Sequence, residues 1–492
     1  MNKFKRIGSA ALAAALMAGT SITVNAETVY QGSNIGYNAY QWRNWSQPVT
    51  SYIEETDNGY MIVEAYAVKD KVAVRYYDSS NKFLSEKLVD TELPLFGAFY
   101  SDGSNYYILS GQNNPNQDNS CEVFRVTKYD KDWNRLSAAS LYGENTCIPF
   151  DAGSARITHC ENYLIVRTCH EMYKSSDGYN HQANVTFEVD TQSMTVTDKY
   201  TDVMNTNIGY VSHSFNQFLL VDEDNNLVTI DHGDANPRSV CLLKYKTDVS
   251  DGTFQADYFE NPCEYVPMLP ISGQYGNNYT GVTVGGFEQS NNSYIVAGTS
   301  INQDNSSSST KNVFVSSIEK DLTSDSQPDI KYVTSIPEGD SSATNPFLVK
   351  LDSNSFMLIW SVDDTVYYTM LDENGHTTAQ TKSFKGDLSD CQPILSGGYV
   401  QWYTRDKNDF KLYSINASDL TASVVSLSDS EPTPIDPDPV DPDPVDPDPV
   451  DPDPNPVDPD PIDPNPNPNP QKTVYTSPTL SLILNTAPTR RT

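Results

Sequence analysis

The sequence lacks the short motifs that announce a reaction. There is no GxSxG elbow, no HExxH pair, no P-loop and no GxGxxG following a strand. The usual signatures of hydrolase, zinc-protease and nucleotide chemistry are therefore missing. No CxxC spacing occurs, so a zinc ribbon is not expected. Cysteine is sparse and odd in number, at seven, which excludes complete internal pairing. Cys160 with Cys169 across one hairpin, and Cys121 with Cys147, are the pairs considered. Positive charge is scarce: 32 Lys and Arg stand against 65 Asp and Glu, for a net charge of −33. Nucleic acid and anionic membrane surfaces are poor partners for such a chain. A divalent cation or a basic partner suits it better. No cofactor motif is identified. Tyrosine is plentiful, at 31, and with Asn, Ser and Thr it favours strands and turns.

The two ends differ from the middle. Lys3, Lys5 and Arg6 precede a small apolar run over residues 7–19, and Val24-Asn25-Ala26 closes a polar segment. The run is too short to span a bilayer, so residues 1–26 read as a cleaved secretory signal, with a mature start near Glu27 and no membrane insertion afterwards. Residues 430–471 form a spacer in which nearly every second residue is proline, as in PIDPDPVDPDPVDPDP, with eleven aspartates between the prolines. Proline fixes φ and lacks an amide hydrogen, so this segment is expected to be disordered, extended polyproline II. At roughly 3.1 Å per residue it would reach on the order of 100 Å. Residues 472–492 form a short tail of unassigned role, without an LPxTG-type motif. Signal, head and acidic Pro-rich spacer resemble the layout of Gram-positive surface proteins. That resemblance implies a secreted, extracellular protein at the cell surface, with cell-wall attachment as an option.

Between the ends, residues 27–429 repeat one pattern. A turn of Asn, Asp, Gly or Ser leads to an aromatic residue or Leu, an aliphatic run, and a second apolar run ending near Asp or Asn. DNGYMIVEAYA then KVAVRYYDSSN is the first copy; SGGYVQWYTRD then FKLYSINASD is the seventh. The anchors are Tyr60, Tyr107, Tyr163, Leu227, Tyr294, Phe356 and Tyr399. Their spacing runs from 43 residues (Phe356 to Tyr399) to 67 (Leu227 to Tyr294). Turn, buried strand, loop and strand is the logic of a four-stranded antiparallel blade, and radial repetition of blades gives a β-propeller. The pattern is similar to the architecture of WD40 and kelch proteins, whose periods are about 40 to 50 residues, without their Trp-Asp or double-glycine signatures. The expected fold is all-β, a propeller of seven blades, with six or eight as alternatives. Two stacked β-sandwiches are the competing fold.

In a propeller, ligands collect at loops beside the central channel. Aligned repeats place Cys169, His170 and Glu171 there, followed by KSSDGYNH ending at His181. They also place Asp231, His232 and Asp234 of IDHGDANPR there, and Arg405. The inner strands of the third and fourth repeats are expected at SARITHC (154–160) and YVSHSF (210–215), adding Arg156, His159 and His213. Imidazole beside carboxylate can hold a divalent metal or exchange protons near neutral pH. The structural alternative is that these histidines hydrogen-bond between blades. LVDEDNN (220–226) and TKYDKDWNR (127–135) lack the spacing of calcium loops and are expected to be hairpin turns. The reading is a binding module for an extracellular glycan or protein. An enzyme acting on a polar substrate such as a polysaccharide, and an architectural surface protein, are the alternatives.

Overall fold

The computed structural model describes residues 28–427, except 29, 36–47, 207–208, 212–214, 236–237, 246, 249–254, 257–263, 306 and 324. The signal (1–26), the spacer (430–471), the tail (472–492), His213 and Cys263 lie outside the described residues. The chain separates into two units, 1–433 and 434–492, and all the described residues belong to the first.

Seven antiparallel blades, each built on a four-stranded meander paired in sequence order, form a ring. The first strands are Ser51–Thr56, Leu95–Ser101, Arg156–Cys160, Phe218–Val221, Val282–Gln289, Thr344–Lys350 and Ile394–Ser396. Every anchor read from the sequence begins a second strand: Gly59–Val68, Tyr106–Gly111, Tyr163–Lys174, Leu227–Gly233, Ser293–Ser300, Ser355–Val362 and Tyr399–Asp406. Among the described residues there is no helix, and none long and apolar enough to cross a membrane.

The aliphatic runs are continuous because each second strand is covered on both faces. Strand side chains alternate, so in blade 1 Met61 and Val63 pack towards blade 2 while Tyr60 and Ile62 pack towards blade 7. The same division recurs round the ring, and the hydrophobic clusters lie between successive blades rather than in one central core. First strands come close together: a Cβ on Gly285 of blade 5 would lie 1.7 Å from the Pro346 carbonyl oxygen of blade 6.

Asp and Asn terminate the hairpins as turn chemistry requires. The Asp130 carboxylate accepts from the amides of Asp132 and Asn134, and that of Asp222 from the amides of Asp224 and Asn226. These are the two acidic turns expected to be structural.

Two expectations change. The inner strand of blade 4 is Phe218–Val221, not 210–215; Gly209–Val211 pairs instead with Met204–Thr206 in a separate two-stranded hairpin. Such additions, with a fifth strand (Thr146–Pro149) in blade 3 and a hairpin (Thr247–Asp248 with Gln255–Ala256) inside blade 4, stretch the repeat there. The cysteine pairs do not form either. Cys160 stands opposite Tyr163 and Cys169 opposite Asn184, so their strand positions are far apart. Cys121 and Cys147 are both thiols.

Candidate functional site

The first strands of blades 1, 2, 3 and 7 enclose a cavity of about 330 Å³ in the channel. Its wall includes Tyr52, Glu54, Phe99, Tyr100, Arg156 and Gln392. Burial pushes the Glu54 carboxyl up, against the lowering influence of Ser101 and Lys131. Burial also raises the Tyr52 and Tyr100 hydroxyls, so both stay protonated donors at neutral pH. The Tyr100 hydroxyl meets His159 Nδ1. His159 in turn lines a second cavity, of about 320 Å³, with Asp102, Lys128, Glu161 and Thr191 at the turns between blades 2 and 3. There Lys128 Nζ donates to the Thr191 carbonyl at 3.0 Å, and Tyr107 donates to Asp102 at 2.7 Å.

Arg156 is half-buried. Its Nε donates to the Gln217 carbonyl at 3.1 Å, and its guanidinium lies 4.5 Å from the centre of the Phe218 ring. Burial brings it down to about 10, with Tyr52 and Asp390 opposing.

The other residues singled out in the sequence occupy separate settings. His170 is fully buried in the second strand of blade 3, its Nδ1 sharing a hydrogen bond with Thr146 Oγ1 at 2.6 Å. Burial depresses it to about 3, so the imidazole is neutral. Glu171, its neighbour, is half-buried, and burial followed by Asp151 raises its carboxyl. His232 is buried in blade 4, with Nε2 2.9 Å from Thr280 Oγ1 and its ring edge-on to Phe215. Asp234 is buried, and its carbonyl accepts from the Gly276 amide at 2.9 Å. His181 is exposed, 2.8 Å from Asp177. Ser175, the Tyr179 amide and His181 hold that aspartate at about 2. Arg405 is buried at the junction of blades 7 and 1, where Nε donates to both oxygens of Glu64 at 2.7 and 2.8 Å. Among the described residues no group of three or more His, Cys, Asp or Glu is arranged to hold a metal ion.

Of these, only Arg156 lines the channel cavity. Tyr52, Glu54, Phe99, Tyr100 and Gln392 escaped the sequence reading. Tyr52, Glu54, Phe99 and Tyr100 sit in the strand before a repeat's turn, in SYIEET and LFGAFYS, where Arg156 sits in the third repeat. Extending the alignment one strand upstream in every repeat would have found them.

A second feature lies at one face of the ring. In a four-stranded meander the ends of the second and fourth strands emerge on the same face. Tyr66 and Tyr142 stand at such ends, as does Tyr332. Tyr179 lies between the second and third strands of blade 3, and Tyr275 and Tyr279 lie between blades 4 and 5, so they share this face. All six are exposed, Tyr179, Tyr275 and Tyr279 most, at 61%, 64% and 70%. Tyr399, at the start of a second strand, is on the opposite face.

No family model matches the chain, and no curated protein matches it. Solved structures that it resembles include the β-propeller domain of the Trilobed protease from Pyrococcus furiosus. That match has 10% identity, covers 77% of this chain and 96% of that one, and has a TM-score of 0.37. An α-L-arabinanase from Cellvibrio cellulosa matches at 9% identity, over 61% of this chain and 91% of that one, with a TM-score of 0.30. TolB from Acinetobacter baumannii matches at 13%, over 77% and 79%, with a TM-score of 0.30. Likeness at this level says nothing about ligand or activity.

Proposed function

We propose that the protein is an exported binding module that recognises an extracellular glycan or protein through the tyrosine-bearing face of its propeller. The observation that carries this reading is the gathering of six exposed tyrosines at one face. Tyrosine offers a large, rigid, amphipathic contact at low entropic cost, which suits recognition surfaces. The signal-like start and the Pro-Asp spacer support display outside the cell, at a distance from the surface. Isolated exposed aromatics need no explanation, but a set of them does.

The test is binding of the full chain to glycan and extracellular-protein arrays, with and without EDTA, beside a Tyr275→Ala/Tyr279→Ala variant. The expected result is a partner whose affinity falls at least tenfold in the variant while its unfolding midpoint is unchanged. Equal binding by the two proteins would remove the tyrosine face from the reading.

A further inference from the structure

We propose that the channel cavity receives the carboxylate of an acidic sugar residue, with Arg156 as the group that binds the anion. The inference rests on reading the protein as a binding module and names a ligand class for a second, interior part of it.

The other arginines of the described domain are all engaged. Arg75 pairs with Glu86, Arg125 with Glu92 and Glu122, Arg135 with Glu92, Arg167 with Asp231, and Arg405 with Glu64. The field of Asp234 reaches Arg238, and four backbone carbonyls surround its guanidinium, those of Ser272, Asp234, Asn277 and Tyr279. Among the described residues Arg156 has a single carbonyl, on Nε, and an aromatic face. Asp390 is the carboxylate whose field reaches it. The oxygens of Asp390 are engaged elsewhere, by the Thr50 amide and by the hydroxyls of Thr50 and Ser51. A half-buried guanidinium without an ion pair costs free energy unless an anion completes it. Its two terminal nitrogens have the planar fork that receives a carboxylate.

The remainder of the cavity fits a sugar ring. About 330 Å³ is at the small end of ligand pockets, so one residue rather than a chain is accommodated. Tyr52 and Tyr100, both half-buried, offer apolar ring surface to sugar C–H groups, while Phe99 is buried behind them against Trp133 and Tyr106. Glu54 and Gln392 offer acceptors to sugar hydroxyls. A peptide's terminal carboxylate could meet Arg156 but would bring no set of hydroxyls to match these acceptors. The selection is local, since the chain's overall charge of −33 repels anions at long range.

The experiment is calorimetric titration of the full chain with the methyl glycoside of galacturonic acid, its carboxylate free, and with methyl galactoside and acetyl-diglycine. Binding of the uronate at least tenfold tighter than the galactoside is expected, weakening with added NaCl. Arg156→Gln should reduce uronate affinity at least tenfold and leave the galactoside unaffected. Glu54→Gln, which removes a like charge from the wall, should tighten uronate binding about threefold. If Arg156→Gln does not fold, the Glu54→Gln shift and the acid-to-neutral ratio decide alone. Unchanged uronate binding in Arg156→Gln, equal affinities for acid and neutral sugar, or Arg156-dependent binding of the peptide alone would each overturn the proposal. Loss of array binding in the Tyr275→Ala/Tyr279→Ala variant beside a silent uronate titration would sink the channel site while leaving the binding module intact.

Discussion

Blades 3 and 4 follow one another in the chain, separated by one small hairpin, whereas between blades 7 and 1 the partners come from opposite ends of the domain. Both junctions hold a buried arginine–carboxylate pair on second strands. Arg167 donates to Asp231, with Nε at 3.1 Å from Oδ1, across 64 residues of sequence. Arg405 donates to Glu64 across 341 residues. Closing the longer loop costs about 1.5 kcal/mol more on the logarithmic dependence of closure entropy on length. That is comparable to one or two net hydrogen bonds, and the 7–1 junction has several more. The Asn34 amide donates to the Arg405 carbonyl at 3.1 Å, and the Arg405 amide to Asn34 Oδ1 at 2.6 Å. Arg405 Nη1 donates to the carbonyls of Gly32 and Gln31, at 2.9 and 3.2 Å. Asp390 of blade 7 accepts from Thr50 and Ser51. Tyr30 packs edge-on to Phe410 at 5.1 Å and meets Arg75 and Glu86. At the 3–4 junction the ion pair is supported by bonds between the blades themselves, from Ser154 to Asn216 and Gln217 and from Arg156 to the Gln217 carbonyl, whereas the 7–1 junction is reinforced by a separate strap.

This contrast can be broken by substitution. Asp231→Ala leaves Arg167 fully buried without its counter-charge, and a loss of roughly 3–5 kcal/mol is expected from urea unfolding. Glu64→Ala leaves Arg405 with the carbonyls of residues 31 and 32, so a smaller loss, roughly 2–3 kcal/mol, is expected from the same measurement. An equal or larger loss at Glu64 would refute the reinforcing role of the strap.

Glu188 sharpens the point by being a buried carboxylate with no arginine. Burial raises its carboxyl to about 7, against the hydroxyl of Thr197. A carboxyl raised on folding contributes stability that is fully present below its unfolded value near 4.5 and is lost as pH rises towards 7. Glu188→Gln should therefore be more stable than the parent by about 2 kcal/mol at pH 8, with the difference vanishing at pH 4. A gain at both pH values would show that the effect is packing rather than charge. Tyr30→Phe removes only the hydroxyl and should cost about 1 kcal/mol, with faster amide exchange confined to residues 30–35.

Seven blades were legible because the second strands are covered on both faces and carry unbroken aliphatic runs after a turn. The first strand of blade 3 was legible too, lying directly before its turn. That of blade 4 was not: the inserted hairpin at 204–211 carries strand-like residues that stand where an inner strand is expected. The histidines failed to mark a single place for a different reason. A strand position alternates between two neighbouring blades, so His170 and His232, similar in sequence setting, are buried against Thr146 and Thr280 respectively. Nothing local distinguishes a histidine facing the next blade from one facing solvent. The channel wall was missed because its residues come in short stretches from blades 1, 2, 3 and 7, far apart in the chain, and only the closed ring makes them neighbours.

The strap at residues 30–35 has a consequence for the order of events during synthesis. These residues precede all seven blades, yet their partners Ser389, Arg405 and Asp406 are among the last of the domain. Tyr30 and Gln31 can engage blade 1 as soon as it forms, while Ser33 must wait for Arg405, 372 residues later. A chain halted before Asp406 would keep the first and last blades unjoined, however well formed its other sheets. Completion of the ring therefore reports that the whole domain has been produced, and the beginning of the chain is where that report is registered.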